Sequence, residues 1–155
     1  MKKFNFRLDK LMNYKEQVLD NEKMTLSNLL CEKEKATNRL NALQKEKKKC
    51  ADELEEQRES GEITTVEYQL YYKYDLYLNE QIREVMKSLA LIGARIEKQI
   101  EVLKNIKLET KSLETVKNSK LADHRKEVIK SDEVFIDEFV NSVRAINGGS
   151  IGRIQ

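Results

Sequence analysis

Apolar residues recur along this chain at alternating separations of three and four, with one interruption near Gly61. Before it, Met12, Leu19, Leu26, Lys33, Leu40, Lys47 and Leu54 share one position of a seven-residue repeat. Leu8, Lys15, Glu22, Leu29, Ala36, Leu43, Cys50 and Gln57 share a second position, three residues away. A helix carries both sets on one seam, and the seven-residue period makes that seam supercoil left-handed with a partner. The pattern predicts a first helix over about 6–60, about 80 Å long at 1.5 Å per residue.

The interruption has the chemistry of a reversal. Gly61 suits the left-handed residue that ends a helix. Thr64 suits an N-cap, with Glu67 three residues on to complete a capping box and Ile63 and Tyr68 placed as a hydrophobic staple. A tight turn is expected at 60–64 and a second helix over about 65–146, since the chain contains no proline to stop it. Its seam reads Tyr71, Leu78, Val85, Ile92, Gln99, Ile106 and Leu113 on one position. Tyr68, Asp75, Ile82, Leu89, Ile96, Leu103, Thr110 and Lys117 take the other. A connection this short favours antiparallel packing of the helices on each other. The competing arrangement is a parallel dimer through one continuous helix, which leaves Gly61 and the cap residues without a role. The expected fold is all-α: a long two-helix antiparallel coiled-coil hairpin over 1–146 as a single domain, with a disordered tail at 147–155.

The turn lies well short of the midpoint, so the helices are unequal. Folding about Gly61 sets residue 5 opposite roughly residue 118 and leaves 119–146 without a mate. Over this region Thr110, Lys117, Asn118 and Lys120 interrupt the seven-residue seam, and apolar residues return as Val128, Ile129, Phe135, Ile136, Phe139, Val140, Val143 and Ile146. An uncovered apolar strip of this kind marks an interface with another protein, or a fold-back or self-association.

Composition agrees with an extended helical protein. Charged residues make up 36% of the 155, with 29 basic and 27 acidic side chains interspersed, and there is no tryptophan. The apolar seam argues against disorder. A net charge of +2 excludes little, but alternating signs do not build the one-signed stripe that nucleic acid requires. The run Lys45-Glu46-Lys47-Lys48-Lys49 reads as a solvated face. Cys50 falls on the seam as a small hydrophobe and Cys31 on the outer face as a free thiol. Two cysteines at this spacing suggest neither metal nor disulfide, so a reducing cytoplasm is the expected compartment. The N-terminus lacks the apolar core of a signal peptide, and no apolar run approaches the roughly 20 residues that span a bilayer. Direct membrane insertion is not expected.

Catalytic chemistry is scarcely suggested. His124, the single histidine, reads as an incidental exposed helix residue, the carboxylates are dispersed, and no glycine-rich phosphate loop is present. No catalytic residue, metal or cofactor is expected. More informative are Tyr68, Tyr71, Tyr72, Tyr74 and Tyr77, crowded into the first turns of the second helix. Helical spacing puts Tyr74 and Tyr77 at the edge of the seam or outside it, either as binding anchors or as cover for the tip of the hairpin.

At the N-terminus, Phe4 and Phe6 precede Leu8, Leu11 and Met12, an apolar lead-in that fixes the base of the hairpin against the second helix. Phe4, Phe6, Arg7, Leu8, Lys10, Leu11, Tyr14, Lys15 and Glu16 resemble the opening of the flagellar export protein FliJ family. The architecture of nearly the whole chain, with two long helices, a glycine turn and tyrosines after it, is similar as well. The resemblance implies a cytoplasmic component of the flagellar type III secretion system, peripherally associated with the inner face of the cell membrane at the flagellar base. It implies a monomeric antiparallel coiled coil similar to the central stalk of rotary ATPases.

By the same resemblance, the end away from the turn enters the hexameric export ATPase ring, with Phe4, Phe6, Arg7, Phe135, Ile136, Phe139 and Val140 at that end. Leu43, Tyr74 and Leu78 fall where the family contacts the cytoplasmic domain of the membrane export gate. Leu43 and Leu78 are also seam residues, and Glu46 and Cys50 stand where aromatics appear elsewhere in the family. Export chaperones are further implied partners. Coupling would then be mechanical and allosteric. The stalk of an injectisome or rotary ATPase, a homodimerising coiled coil and a nucleic-acid-binding rod are the alternative readings.

Overall fold

The computed structural model describes residues 3–151. Two α-helices account for almost all of them, α1 over Asp9–Ser60 and α2 over Thr65–Ile151, and the described residues contain no strand. The helical hairpin expected from the seam is present. Two compact units can be distinguished, Val18–Ile106 and the pairing of Met1–Gln17 with Lys107–Gln155.

Within Val18–Ile106, α1 and α2 run antiparallel about the turn. Lys47 Nζ meets Asn79 Oδ1 at 2.5 Å, Arg39 reaches Gln81 Oε1 at 3.4 Å, and the Gln99 amide donates to the Glu22 carbonyl at 3.0 Å and to the Glu22 carboxylate. The buried residues are Leu78, Val85, Ile92, Ile96 and Leu103, all on the two expected seam positions of α2. On α1 the expected positions are half-buried, from Leu19 to Leu54, with Lys33 and Gln57 in solvent. A thin two-helix seam buries one stripe per helix, so most other side chains stay exposed.

The turn is built as its residues dictate. Gly61 adopts φ +70°, the left-handed conformation that costs other residues about 1–2 kcal/mol. Thr64 Oγ1 accepts the Glu67 amide at 3.2 Å, while the Glu67 carboxylate accepts the Thr64 amide at 3.3 Å. This reciprocal pair satisfies two donors that the helix start would leave unpaired.

In the second unit, α1 starts at Asp9, three residues later than the spacing suggests. The Asp9 amide donates to the Phe6 carbonyl at 3.1 Å in a turn, and the Met12 amide to the Leu8 carbonyl at 2.9 Å opens the helix. Asp9 favours that start, since a negative charge complements the helix N-terminus. At the other end, α2 continues past the expected limit near Ile146 into the segment expected as a tail, as far as Ile151. Glycine weakens a helix by about 1 kcal/mol but does not break its hydrogen-bond ladder as proline does. Residues 152–155 of the expected tail lie outside the described residues.

Candidate functional site

In the unit pairing Met1–Gln17 with Lys107–Gln155, the start of α1 lies along α2. Lys15 Nζ meets Glu109 Oε2 at 2.5 Å and Lys117 Nζ meets Asp9 Oδ1 at 3.0 Å. Met12 and Thr110 are buried. Lys117, which as a sequence position interrupts the seam, remains half-buried on it with its ammonium turned to Asp9. The long aliphatic stem lets a lysine lie on an apolar seam while its charge finds a carboxylate at the edge.

Beyond this point the lead-in takes over. Phe6 is 3% exposed, and the Phe4 ring lies 5.4 Å from the His124 imidazole at a 49° tilt. Leu121, His124 and Val128 are half-buried. Two expectations are therefore corrected. His124 is a packed residue rather than an exposed one, and the covered part of α2 extends past 119 to His124. Residues 3–8 lie outside α1, and a chain that is not helical can advance more than the helical 1.5 Å per residue, so a few lead-in residues can cover a longer stretch of α2 than a helical turn would. Of the lead-in residues expected at the ATPase-docking end, Phe6 is buried in this unit, Phe4 is half-buried and Arg7 is exposed.

From Ile129 onward, α2 carries its apolar residues in solvent. Phe135 is 68% exposed, and Ile129, Ile136, Phe139 and Ile146 all exceed half exposure; Val140 and Val143 lie just above a third. At about 100° per residue, Val128, Phe135, Phe139, Val143 and Ile146 share one face, widened by Ile129, Ile136 and Val140. Among the described residues of this unit, no other stretch leaves as many large apolar side chains exposed.

The second candidate lies within Val18–Ile106, close to the turn. Tyr74 is 40% exposed, and its ring stacks on Tyr77 with centroids 6.1 Å apart. The Tyr74 hydroxyl donates to Glu46 Oε1 at 3.5 Å, and the Cys50 thiol donates to the same oxygen at 3.8 Å. Loss of water contact and then the Glu46 carboxylate push the Tyr74 hydroxyl above its usual range. Burial, followed by Glu46 and Glu53, does the same for the Cys50 thiol.

Leu78 must be separated from Tyr74. It is the most deeply buried side chain of the described residues, at 2%, and presents nothing to a second protein while the helices are packed. Leu43 is half-buried on the α1 seam. Of the three positions expected at the export gate, Tyr74 alone offers an exposed ring, joined by Tyr77, Val66 and Leu70 on the outward side of α2. Tyr68, expected on the seam, is instead 49% exposed beside the turn. Cys31 is exposed and Cys50 half-buried, both as free thiols.

No helix of the described residues is long and apolar enough to cross a membrane. Together these features define the class: a coiled-coil hairpin with two exposed apolar surfaces, one in each unit. The family described as the flagellar FliJ protein matches residues 4–149. The chain belongs to that family, and so is a coiled-coil component of flagellar protein export. No curated protein and no solved structure matches the chain.

Proposed function

We propose that this chain docks in the ring of the flagellar export ATPase through the exposed α2 face at 129–146 and couples the ring to the membrane export gate. The observation that carries this reading is that face: seven large apolar side chains on one helix that stay exposed among the described residues. Burying a side chain such as phenylalanine is favourable by about 1.5–3 kcal/mol, and a few such anchors can dominate an interface. The ring is the occupant implied by family membership. Arg7 lies exposed in the same unit and is available to a carboxylate of the ring.

The gate contact is assigned to Tyr74 and its neighbour Tyr77, whose amphipathic rings suit a partly wet interface. Leu43 and Leu78 support that surface from the seam beneath it. Export chaperones are further partners, and the protein is held at the inner face of the membrane by these contacts rather than by insertion. No bond is made or broken by the chain; it transmits position between partners.

The test is binding of the full chain to the purified export ATPase. Phe135→Asp or Phe139→Asp should lower affinity at least a hundredfold with unchanged far-UV circular dichroism, since both residues are exposed. Tyr74→Ala should weaken binding to the gate cytoplasmic domain and leave ATPase binding intact. Wild-type ATPase affinity in both phenylalanine variants would refute the docking face.

A further inference from the structure

The covered and uncovered parts of α2 follow one spacing, and it is not the seven-residue one. Thr110, Leu113, Lys117, Leu121, His124 and Val128 form the buried or half-buried edge of α2 in its unit. Their separations of three, four, four, three and four continue without a slip through Asp132, Phe135, Phe139, Val143 and Ile146. Thr110, Leu121, Asp132 and Val143 are thus eleven residues apart in turn, as are Leu113, His124, Phe135 and Ile146. An eleven-residue repeat has about 3.67 residues per turn, close to the undistorted helix, and its seam runs almost straight with a slight right-handed drift. The exposed face is therefore the continuation of an interface already formed within the unit, with the same phase and the cover removed.

Charge selects what fits it. Residues 127–146 contain five acidic side chains, Glu127, Asp132, Glu133, Asp137 and Glu138, against Lys130 and Arg144. The chain as a whole is slightly basic, at +2. Helical phase places Glu127 and Glu138 on one flank of the stripe, Glu133 on the other, and Asp132 within it. A second copy would bring the same excess of negative charge to the interface. Asp132 is exposed and takes part in no ion pair among the described residues. An acidic residue inside an apolar stripe disfavours a purely apolar cover and fixes register with a partner that supplies a cation there.

We infer that the stripe from Val128 to Ile146 takes a straight helical surface of another protein whose apolar ridge is flanked by lysine or arginine, one of which pairs with Asp132. The inference rests on the docking proposed above and specifies the chemistry of the ring surface that receives this face. Asp132 is then the residue that sets register, and Phe135 and Phe139 are the anchors.

The test titrates the full chain with the export ATPase at 0.05 and 0.3 M NaCl. Wild-type affinity should fall with salt, because exposed charge pairs are screened. Asp132→Lys should weaken binding at least tenfold at low salt and reduce the salt dependence, with Asp132→Asn giving a smaller loss. Circular dichroism should be unchanged, since residue 132 is exposed. Binding of Asp132→Lys within twofold of wild type, alongside loss in Phe135→Asp, overturns the cationic partner and leaves the docking face standing. Wild-type binding by Phe135→Asp as well removes the docking reading too. A dimer in sedimentation that Phe135→Asp converts to monomer would show a second copy on the stripe, and this also overturns the inference.

Discussion

Leu78→Ala tests whether a position implied at the export gate acts by contact or by packing. Leu78 is 2% exposed, the least accessible side chain among the described residues, with Val85 one repeat further along the same seam. Truncating a buried leucine costs about 2–5 kcal/mol, growing with the cavity that remains. A two-helix seam is thin, so water and neighbouring side chains can close over the gap, which points to the lower part of that range, about 2–3 kcal/mol. For a chain of this size each kcal/mol lowers the melting temperature by about 2–4 °C, giving a fall of about 4–12 °C. Leu78→Met, which nearly conserves volume, should cost less than about 1.5 kcal/mol. Thermal melts by far-UV circular dichroism measure both, with gate binding assayed well below the transition. Tyr74→Ala supplies the contrast: its exposed ring should matter little for the melt and more for the gate. A Leu78→Ala protein that melts within 1 °C of wild type yet has lost gate binding would refute the packing assignment.

The turn and the thiols give two further predictions. Thr64→Ala removes the acceptor for the Glu67 amide and should cost about 1 kcal/mol in urea denaturation; Gly61→Ala, forced to φ +70° in otherwise open space, should cost about 1–2 kcal/mol. Neither change should reverse the order of the helices. Labelling with a thiol reagent at pH 8 should proceed in two phases, fast at exposed Cys31 and slow at Cys50. Burial and the Glu46 carboxylate raise the Cys50 thiol above its ordinary value, so at any given pH it holds less of the reactive thiolate. Cys31→Ser should remove the fast phase alone, and single-phase labelling of the native wild-type protein would contradict the environment assigned to Cys50.

Most of the architecture was legible in the chain because it depends on local chemistry. The seven-residue spacing names the seam within Val18–Ile106, and Leu78, Val85, Ile92, Ile96 and Leu103 are buried where it puts them. The reversal follows from a glycine that tolerates positive φ and from a threonine and glutamate three residues apart. Less legible was the stretch after Thr110. A seven-residue template reads Lys117 and Lys120 as interruptions, whereas eleven-residue spacing carries the seam through Lys117 to Leu121. The signal was present in the separations, but a template with the wrong period passes over it.

What the sequence determined by itself is thus two helices, the turn between them and the stripe each buries, since helical phase and capping are set within a few residues. Which members of a stripe find a partner was decided only by tertiary structure. The lead-in lies outside the helix, Phe4 reaches His124, and Phe6 disappears into the core. Leu78 and Tyr74 are separated for the same reason: four residues apart on one helix, one is closed off by α1 and the other keeps its ring in solvent. Exposure depends on what the opposing segment brings and how fast it advances, and neither is encoded at the position it covers.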